Sequence, residues 1–532
     1  MQISRLKIED HKCLVDFDIQ MNIEMDQGSS TILIGENGTG KSTMLQTVLE
    51  ILMSFESDAV KKKLLYNYEI EYYFKGSNIR IHREEEYYHI FIDDTLFCAG
   101  TMKTVKKWLE RENKSILPER ISYFYSGAND RSLDSLKRIN INYTTECISD
   151  IVKYWNALYL AGHEYEGLFP KRRYIYCVED LVPVYLIALL CGGQTFGKEC
   201  LSGKCHMTGI DTISVVLDVG KLRPRLQNDI VEIGNEGVCD IIAFIDDRFT
   251  DLFRYGFQYQ NDEQFVYSLN RIEDAYADSV SIFDLFEKLK TMMDVKLDVY
   301  VRIGDTRVNC NDLSEGQRQL IKILGMLDIC KNEDALVLMD EPDAHMNPKW
   351  KYELKPIIDK CLEGAVNTQA LIATHDPMVI NGVDNQDIRL FTYNQTIVRN
   401  KNFYFTKVIE PTEETKGLGI DGLLQSEYYG METVLDVDTR TKMDEKHDLM
   451  VKKSDGTITD EEKKTLLDLS EELENMAFAR NIPTDSYYDE YVAAMHRIYA
   501  SREPVTLSAE DIAERNAKAE EILRSLMENE VH

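Results

Sequence analysis

The stretch from Thr31 to Thr43 joins an apolar run, Thr31-Ile32-Leu33-Ile34, to the spacing Gly35-x-x-x-x-Gly40-Lys41-Ser42. That spacing suits a loop that wraps phosphate. Glycines at 35, 38 and 40 let backbone N–H groups turn inward, a helix N-terminus adds a favourable dipole, and Lys41 brings positive charge to the β- and γ-phosphates. Ser42 then stands where a hydroxyl ligates Mg²⁺, and Asn37 and Thr43 complete the loop residues expected against a nucleotide. A Gly-rich turn without a ligand is the plain alternative. The β-favouring run before the loop and the helix-compatible stretch Met44 to Met53 after it decide against that alternative.

Three later blocks carry chemistry of a related kind. Asn311-Asp312-Leu313-Ser314-Glu315-Gly316-Gln317 opens an amphipathic helix with Leu320, Ile323, Leu324 and Leu327 at helical spacing. Ala335-Leu336-Val337-Leu338-Met339 is an apolar strand that ends in Asp340-Glu341-Pro342, and Ala370-Leu371-Ile372-Ala373-Thr374 ends in His375-Asp376. Taken singly each has a structural explanation: Ser314 is a good N-cap, strands often end in acids, and a strand-end histidine is commonly a hydrogen-bonded loop residue. Their order along one chain is what points to chemistry.

The elements needed to position these blocks are also legible. Ile3 to Ile8 alternates as a half-buried strand does, with Leu14 to Ile19 as its partner, and Tyr68–Phe74, Asn78–His82 and Tyr88–Ile92 predict an antiparallel meander. A strand at Ile121–Tyr125 follows. From about 130 to 293 the pattern is helical and irregular without sustained heptads, which excludes a long coiled-coil arm. Alternation returns at Val295–Ile303. The expected organisation is an α/β nucleotide-binding core in two halves, 1–130 and 294–395, a mainly helical insertion over 131–293, and a helical extension over 396–532.

In that order the blocks resemble the ABC-type ATPases, and within them the RecF/SMC/Rad50-like branch. The resemblance implies a mixed sheet flanked by helices, with ATP and Mg²⁺ as cofactors. It assigns the metal to Ser42 and Asp340, the attacking water to Glu341, and a γ-phosphate contact to His375. Ser314, Gly316 and Gln317 would meet the nucleotide held by a second copy, so two chains would sandwich two ATP molecules in a homodimer open to higher assembly. Asp343 and His345 lie where the family has a loop passing between protomers. One departure stands out: the family's glutamine is missing at Tyr125-Ser126-Gly127-Ala128-Asn129-Asp130. Ser126 and Asn129 are the available stand-ins, and both ATP hydrolysis and ATP binding remain open as the signal.

Beyond Tyr393, Gly419-Ile420-Asp421-Gly422-Leu423-Leu424-Gln425-Ser426-Glu427 with Leu435-Asp436-Val437-Asp438-Thr439 resembles the PtuA family, ATPase subunits of Septu antiphage systems also found beside retrons. This implies an HNH nuclease partner of the PtuB kind, with nucleic acid reached through the complex and a retron reverse transcriptase with its nucleic acid as a further partner. The alternatives are a RecF/SMC-like repair or chromosome-maintenance ATPase on duplex DNA, and an OLD-type nuclease. Asp436-Val437-Asp438 has the spacing of the OLD-type acids, but it follows no apolar strand and reads better as a helix start.

Composition narrows the field. A 532-residue chain with 44% hydrophobic residues can bury a large core in two or three domains, and a net charge of −31 opposes a surface that binds nucleic acid throughout. Local basic candidates are Lys61-Lys62-Lys63, the group Lys103, Lys106, Lys107 and Arg111, and Lys171-Arg172-Arg173, although each alone is more often a solvated face. The 11 cysteines are scattered and predict free thiols. Cys191, Cys200, Cys205 and His206 lack paired C-x-x-C spacing, so ordinary thiols are favoured over zinc. Glu179-Asp180 and Asp246-Asp247 read as surface acids. No apolar run reaches the roughly 20 residues of a membrane span, and a cytoplasmic protein without membrane contact is expected. Capping patterns predict helix starts at Thr459 to Glu462 and at Ser508 to Asp511.

Overall fold

The computed structural model describes residues 1–127, 133–161, 165, 167, 170–193, 195–220, 222, 234–261, 264–275, 277–331, 333–398, 401–431, 433–454, 456–474, 514, 515, 517–519, 521 and 522. Asn129 and the predicted helix start at Ser508 lie outside them. The chain forms two compact units, one of residues 1–380 and 386–410 and one of 381–385 and 411–532.

The apolar runs ending in the chemical residues become the middle of one seven-stranded sheet. Its order is Lys401–Ile409, Ile388–Val398, Ser29–Gly35, Gln369–Thr374, Ala335–Asp340, Arg120–Tyr125, Tyr174–Tyr176. All neighbouring pairs are parallel except the first, a hairpin. Every residue of Ser29–Gly35, Ala335–Asp340 and Gln369–Thr374 is buried. Continuous apolar strands of this kind are what a parallel sheet covered on both faces requires. The mixed α/β class expected from the sequence is the one found.

Two antiparallel sheets accompany it. The first runs Leu14–Gln20, Gln2–His11, Tyr68–Phe74, Ser77–Glu84, Tyr87–Ile92, Thr95–Thr101, which contains the predicted meander. The second, Phe257–Asn261, Gln264–Leu269, Met207–Asp218, Asp294–Ile303, Thr306–Asn309, differs from expectation. The 131–293 stretch is rich in helix but contributes strands to this sheet, and Asp294–Ile303 pairs with Met207–Asp218, so a boundary at 293/294 cuts through it. Likewise a boundary at 395/396 divides the strand Ile388–Val398, and the second unit comprises 381–385 together with the chain from 411. No single helix among the described residues is long and apolar enough to cross a membrane. The most apolar one, Val182–Cys191, is buried along almost its whole length.

In the second unit the Glu427 carboxylate accepts from the N–H groups of Thr412 (2.5 Å) and Glu413 (2.7 Å), while the Tyr428 hydroxyl donates to the Glu413 carbonyl (2.7 Å). Much of the tail motif therefore holds its own loop. Asp436 accepts from the N–H groups of Asp438 and Thr439 and caps Val437–Ser454, which is the helix start read from the sequence. Thr459 and Glu462 form the predicted capping box ahead of Asp460–Glu474. These two helices enclose Leu449, Leu466 and Leu469.

Candidate functional site

Helix Lys41–Ser54 follows the phosphate-loop strand and buries Met44, Leu45, Val48, Leu49, Ile51, Leu52 and Met53. Each such side chain contributes about 1.5–3 kcal/mol relative to exposure, which anchors the loop at the helix start. The loop takes its left-handed steps at Gly38 (φ +90°) and Gly40 (φ +102°), in the region that favours glycine. A Cβ on Gly40 would lie 2.5 Å from Thr406 Oγ1, and one on Gly38 2.6 Å from the Tyr393 hydroxyl. Those two side chains hold the loop from outside: Thr406 donates to the Thr39 carbonyl at 2.8 Å and Tyr393 to the Asn37 carbonyl at 3.4 Å. Sequence reasoning missed both, since an isolated Thr or Tyr in a hairpin carries no motif.

Lys41 is 5% exposed. Its ammonium donates to the carbonyls of Gly35 (2.6 Å) and Glu36 (2.9 Å). Burial pushes its pKa down, and Glu341, Asp340 and Glu36 act in the opposite direction. A desolvated cation among carbonyls and carboxylates is poised to exchange those partners for phosphate oxygens.

Asp340 ends its strand fully buried, and Ser42 Oγ donates to its Oδ1 at 2.9 Å. A hydroxyl and a carboxylate adjacent at a phosphate loop are the hard oxygen donors that Mg²⁺ takes, so these two residues fit that ion. Glu341 comes next with φ +54°, and its N–H donates to the Ala373 carbonyl at 2.8 Å. This left-handed step ends the strand and turns the chain, so that Glu341 meets His375 Nδ1 at 2.7 Å while Asp340 faces Ser42. The Glu341 and His375 side chains are 25% and 52% exposed, open enough for a substrate and a water. Thus Lys41, Ser42, Asp340, Glu341 and His375 gather at the C-terminal ends of three adjacent parallel strands, where ligands bind in such sheets.

Ser314 caps Glu315–Cys330 through a reciprocal box with Gln317: the Gln317 N–H donates to Ser314 Oγ at 3.3 Å and the Ser314 N–H to Gln317 Oε1 at 3.0 Å. Ser314 is exposed, and Gln317 serves the cap. The helix docks on the turn after the acid pair, with Gln319 donating to the Pro342 carbonyl at 2.9 Å and His345 meeting Glu315 at 3.3 Å. A Cβ on Gly316 would lie 3.2 Å from the His345 carbonyl. Asp343, expected on a loop between protomers, is instead 2% exposed and accepts from Thr374 Oγ1 at 2.8 Å. A short carboxylate facing the strand end has an internal donor and turns inward. Where the family's glutamine is missing, the Ser126 backbone N–H donates to the Asp340 carbonyl at 3.3 Å.

The other candidates resolve into structural roles. Lys171 pairs with Glu333, Arg172 with Glu287 and Arg173 with Glu56, so this basic run is spent on internal ion pairs. Lys61, Lys62, Lys103, Lys106 and Lys107 share a cleft of about 1230 Å³, but Glu9, Asp10, Asp58, Glu85, Glu86 and Glu110 line it too and cancel their field. Burial pushes the Cys191 and Cys205 thiols up to about 12 and Cys200 to about 11, so they stay protonated. Among the described residues no group of three or more His, Cys, Asp or Glu is arranged for a metal. Glu179 pairs with Lys322, and Asp246 with Arg248.

Comparison with known proteins gives the following likenesses. Residues 243–381 match the family model "AAA domain, putative AbiEii toxin, Type IV TA system", which spans the Ser314, Asp340-Glu341 and His375 blocks. The Septu protein PtuA of Bacillus mycoides is 26% identical over 193 residues, 35% of this chain and 26% of that protein. The Retron Vc95 probable ATPase of Vibrio cholerae is 22% identical over 433 residues, 75% of this chain and 74% of that protein. The chain thus spans about a quarter of PtuA's length and about three quarters of the retron protein's. Among solved structures, the SMC head domain from Thermotoga maritima is matched with 10% identity over 78% of this chain and all of that chain, with a TM-score of 0.31. Residues 243–381 are thus similar to an AAA domain, and the relatives are a Septu protein and a probable ATPase named for a retron.

Proposed function

We propose that this chain is the ATP-binding and ATP-hydrolysing regulatory subunit of a bacterial antiphage defence complex, and that nucleotide-dependent dimerisation controls an associated HNH nuclease of the PtuB kind. The observation that carries the ATPase part is the meeting of Lys41, Ser42, Asp340, Glu341 and His375 at adjacent strand ends. Lys41 and the loop N–H groups would bind the triphosphate. Ser42 and Asp340 would hold Mg²⁺, which when bound neutralises phosphate charge. Glu341 would orient the attacking water and take its proton, with His375 beside it to contact the γ-phosphate.

Dimerisation rests on Ser314. It is exposed, and its hydrogen bonds among the described residues run to Gln317 and Arg318 in its own helix start. A helix N-terminus with its serine facing out suits the γ-phosphate of a nucleotide held by a second copy, and Gly316 leaves the first turn without a side chain. The defence role and the nuclease partner rest on likeness to the Septu and retron ATPases, and the protein is read as cytoplasmic. Tagged chain expressed with its neighbouring genes should retain a small HNH protein, and Lys41→Ala should abolish phage protection. Unchanged protection in that variant, or no HNH protein encoded or retained, would rule out the defence reading.

A further inference from the structure

The Glu341–His375 pair sits just past the ends of two paired strands, where the ladder stops at the Glu341 N–H and the Ala373 carbonyl, and beyond that point a lysine bridges the two segments. Lys351 Nζ donates to Asp376 Oδ2 at 2.7 Å and lies 3.9 Å from Asp343 Oδ2. Asp376 follows His375 directly, and its other oxygen accepts from the Met378 N–H at 2.8 Å. On the other side of His375, Thr374 Oγ1 donates to Asp343 at 2.8 Å and accepts from the Asp376 N–H at 3.1 Å. Asp343 in turn belongs to the turn that starts at Glu341, where the Ala344 N–H donates back to the Glu341 carbonyl at 3.3 Å. The histidine segment is therefore pinned on both flanks, and each pin leads to Lys351.

The placement of this lysine is informative. It lies in the first turns of helix Pro348–Leu362, where the dipole disfavours a cation, so its charge does not serve the helix. It is 23% exposed, against 3% for the Asp343 side chain and 16% for Asp376. Two largely buried carboxylates beside Asp340 and Glu341 would repel one another without a cation among them.

We propose that Lys351 is a positioning residue for hydrolysis: it holds the Asp343 and Asp376 segments together so that His375 faces Glu341. This rests on the ATPase reading above and adds a residue that the nucleotide itself need not touch. Removing the charge frees the His375 segment and lowers kcat, while the phosphate loop and hence ATP affinity stay intact.

The test compares Lys351→Met, Lys351→Arg and Asp376→Asn in the full chain. Each is measured for steady-state hydrolysis, for affinity toward a fluorescent ATP analogue, and by ¹⁵N spectra of labelled histidine with His375 assigned through His375→Gln. Lys351→Met and Asp376→Asn should lower kcat about tenfold or more with KM and analogue affinity within twofold, and should move the His375 Nδ1 resonance. Lys351→Arg should restore most of the rate and the wild-type resonance. Unchanged kcat with an unmoved His375 signal overturns the proposal, as does a parallel loss of affinity and rate that Arg fails to rescue. If the wild-type chain hydrolyses no ATP, the ATPase reading fails by itself, and the His375 resonance still decides whether Lys351 positions the ring.

Discussion

Ser42 Oγ donates to Asp340 Oδ1 at 2.9 Å, joining two residues 298 positions apart in the chain. The contact arises because the His375-bearing strand is threaded between the phosphate-loop strand and the acidic strand, in register from Gln369 to Thr374 on one side and from Leu336 to Asp340 on the other. Sheet register thus sets which hydroxyl meets which carboxylate, and helix Lys41–Ser54 carries Ser42 to that level.

Replacing Lys41 with Met should abolish nucleotide binding without unfolding the chain. The lost hydrogen bonds to Gly35 and Glu36 are offset by removal of a desolvated charge. Thermal melting with and without ATP and Mg²⁺ checks this. The wild type should gain about 2.7 kcal/mol of stability at a ligand concentration 100-fold above Kd. The variant should melt at one temperature in both conditions.

Glu341→Gln keeps shape and hydrogen-bonding capacity but cannot accept a proton. Turnover should fall on the order of 100-fold or more, with ATP affinity retained. Rapid-quench measurement of the chemical step against analogue binding separates the two. A variant that turns over normally would assign water activation to another group.

Ser314→Asp is expected to separate the cap from the dimer. Aspartate caps helices as well as serine does, so monomer stability should stay within about 0.5 kcal/mol, whereas Ser314→Ala should cost about 1 kcal/mol. The added carboxylate would face a triphosphate across the interface and block association. Denaturant melts and sizing with Mg²⁺ and ATP give the two readouts.

Thr406→Val removes the O–H that braces the Thr39 carbonyl while keeping the shape against Gly40. A bond of this kind contributes about 1 kcal/mol, so ATP affinity should weaken about fivefold. Isothermal titration on the Glu341→Gln background measures it without turnover.

Acid should destabilise the first unit through His11. Burial holds its imidazole down at about 4, below the ordinary 6.5 or so, while its ring lies 4.1 Å from that of Tyr66. Between those values the unfolded chain binds the extra proton, so stability is full above about pH 6.5 and falls as pH drops toward 4. His11→Phe should flatten this part of a melting profile against pH. An identical slope in the variant would place the acid sensitivity elsewhere.

The chemistry of this molecule was legible in its sequence wherever a reactive residue closes an apolar run. Asp340, Thr374 and Gly35 all end buried strands, and strand ends are where a covered parallel sheet opens to solvent. Residues acting through long-range contacts left no such mark. Thr406 braces a loop hundreds of positions earlier, and Lys351 sits in a helix whose periodicity speaks only of packing. The balance of the basic clusters left no mark for the same reason, since the acids that cancel Lys61 and Lys103 come from Glu9, Asp10, Glu85 and Glu86. In the 131–293 stretch, alternation at Ile213, Val215 and Leu217 carries the strand signal, but it is short and lies between helical segments that dominate any wider window.

The central claim is that ATP joins two copies of this chain through Ser314. Sedimentation velocity of Glu341→Gln, with and without Mg²⁺ and ATP, tests it most directly. The account predicts a monomer without nucleotide, a dimer of twice the 61.5 kDa chain mass with it, and a monomer throughout when Ser314→Asp is added. A Glu341→Gln chain that binds ATP and stays monomeric, or a dimer indifferent to Ser314→Asp, would contradict it.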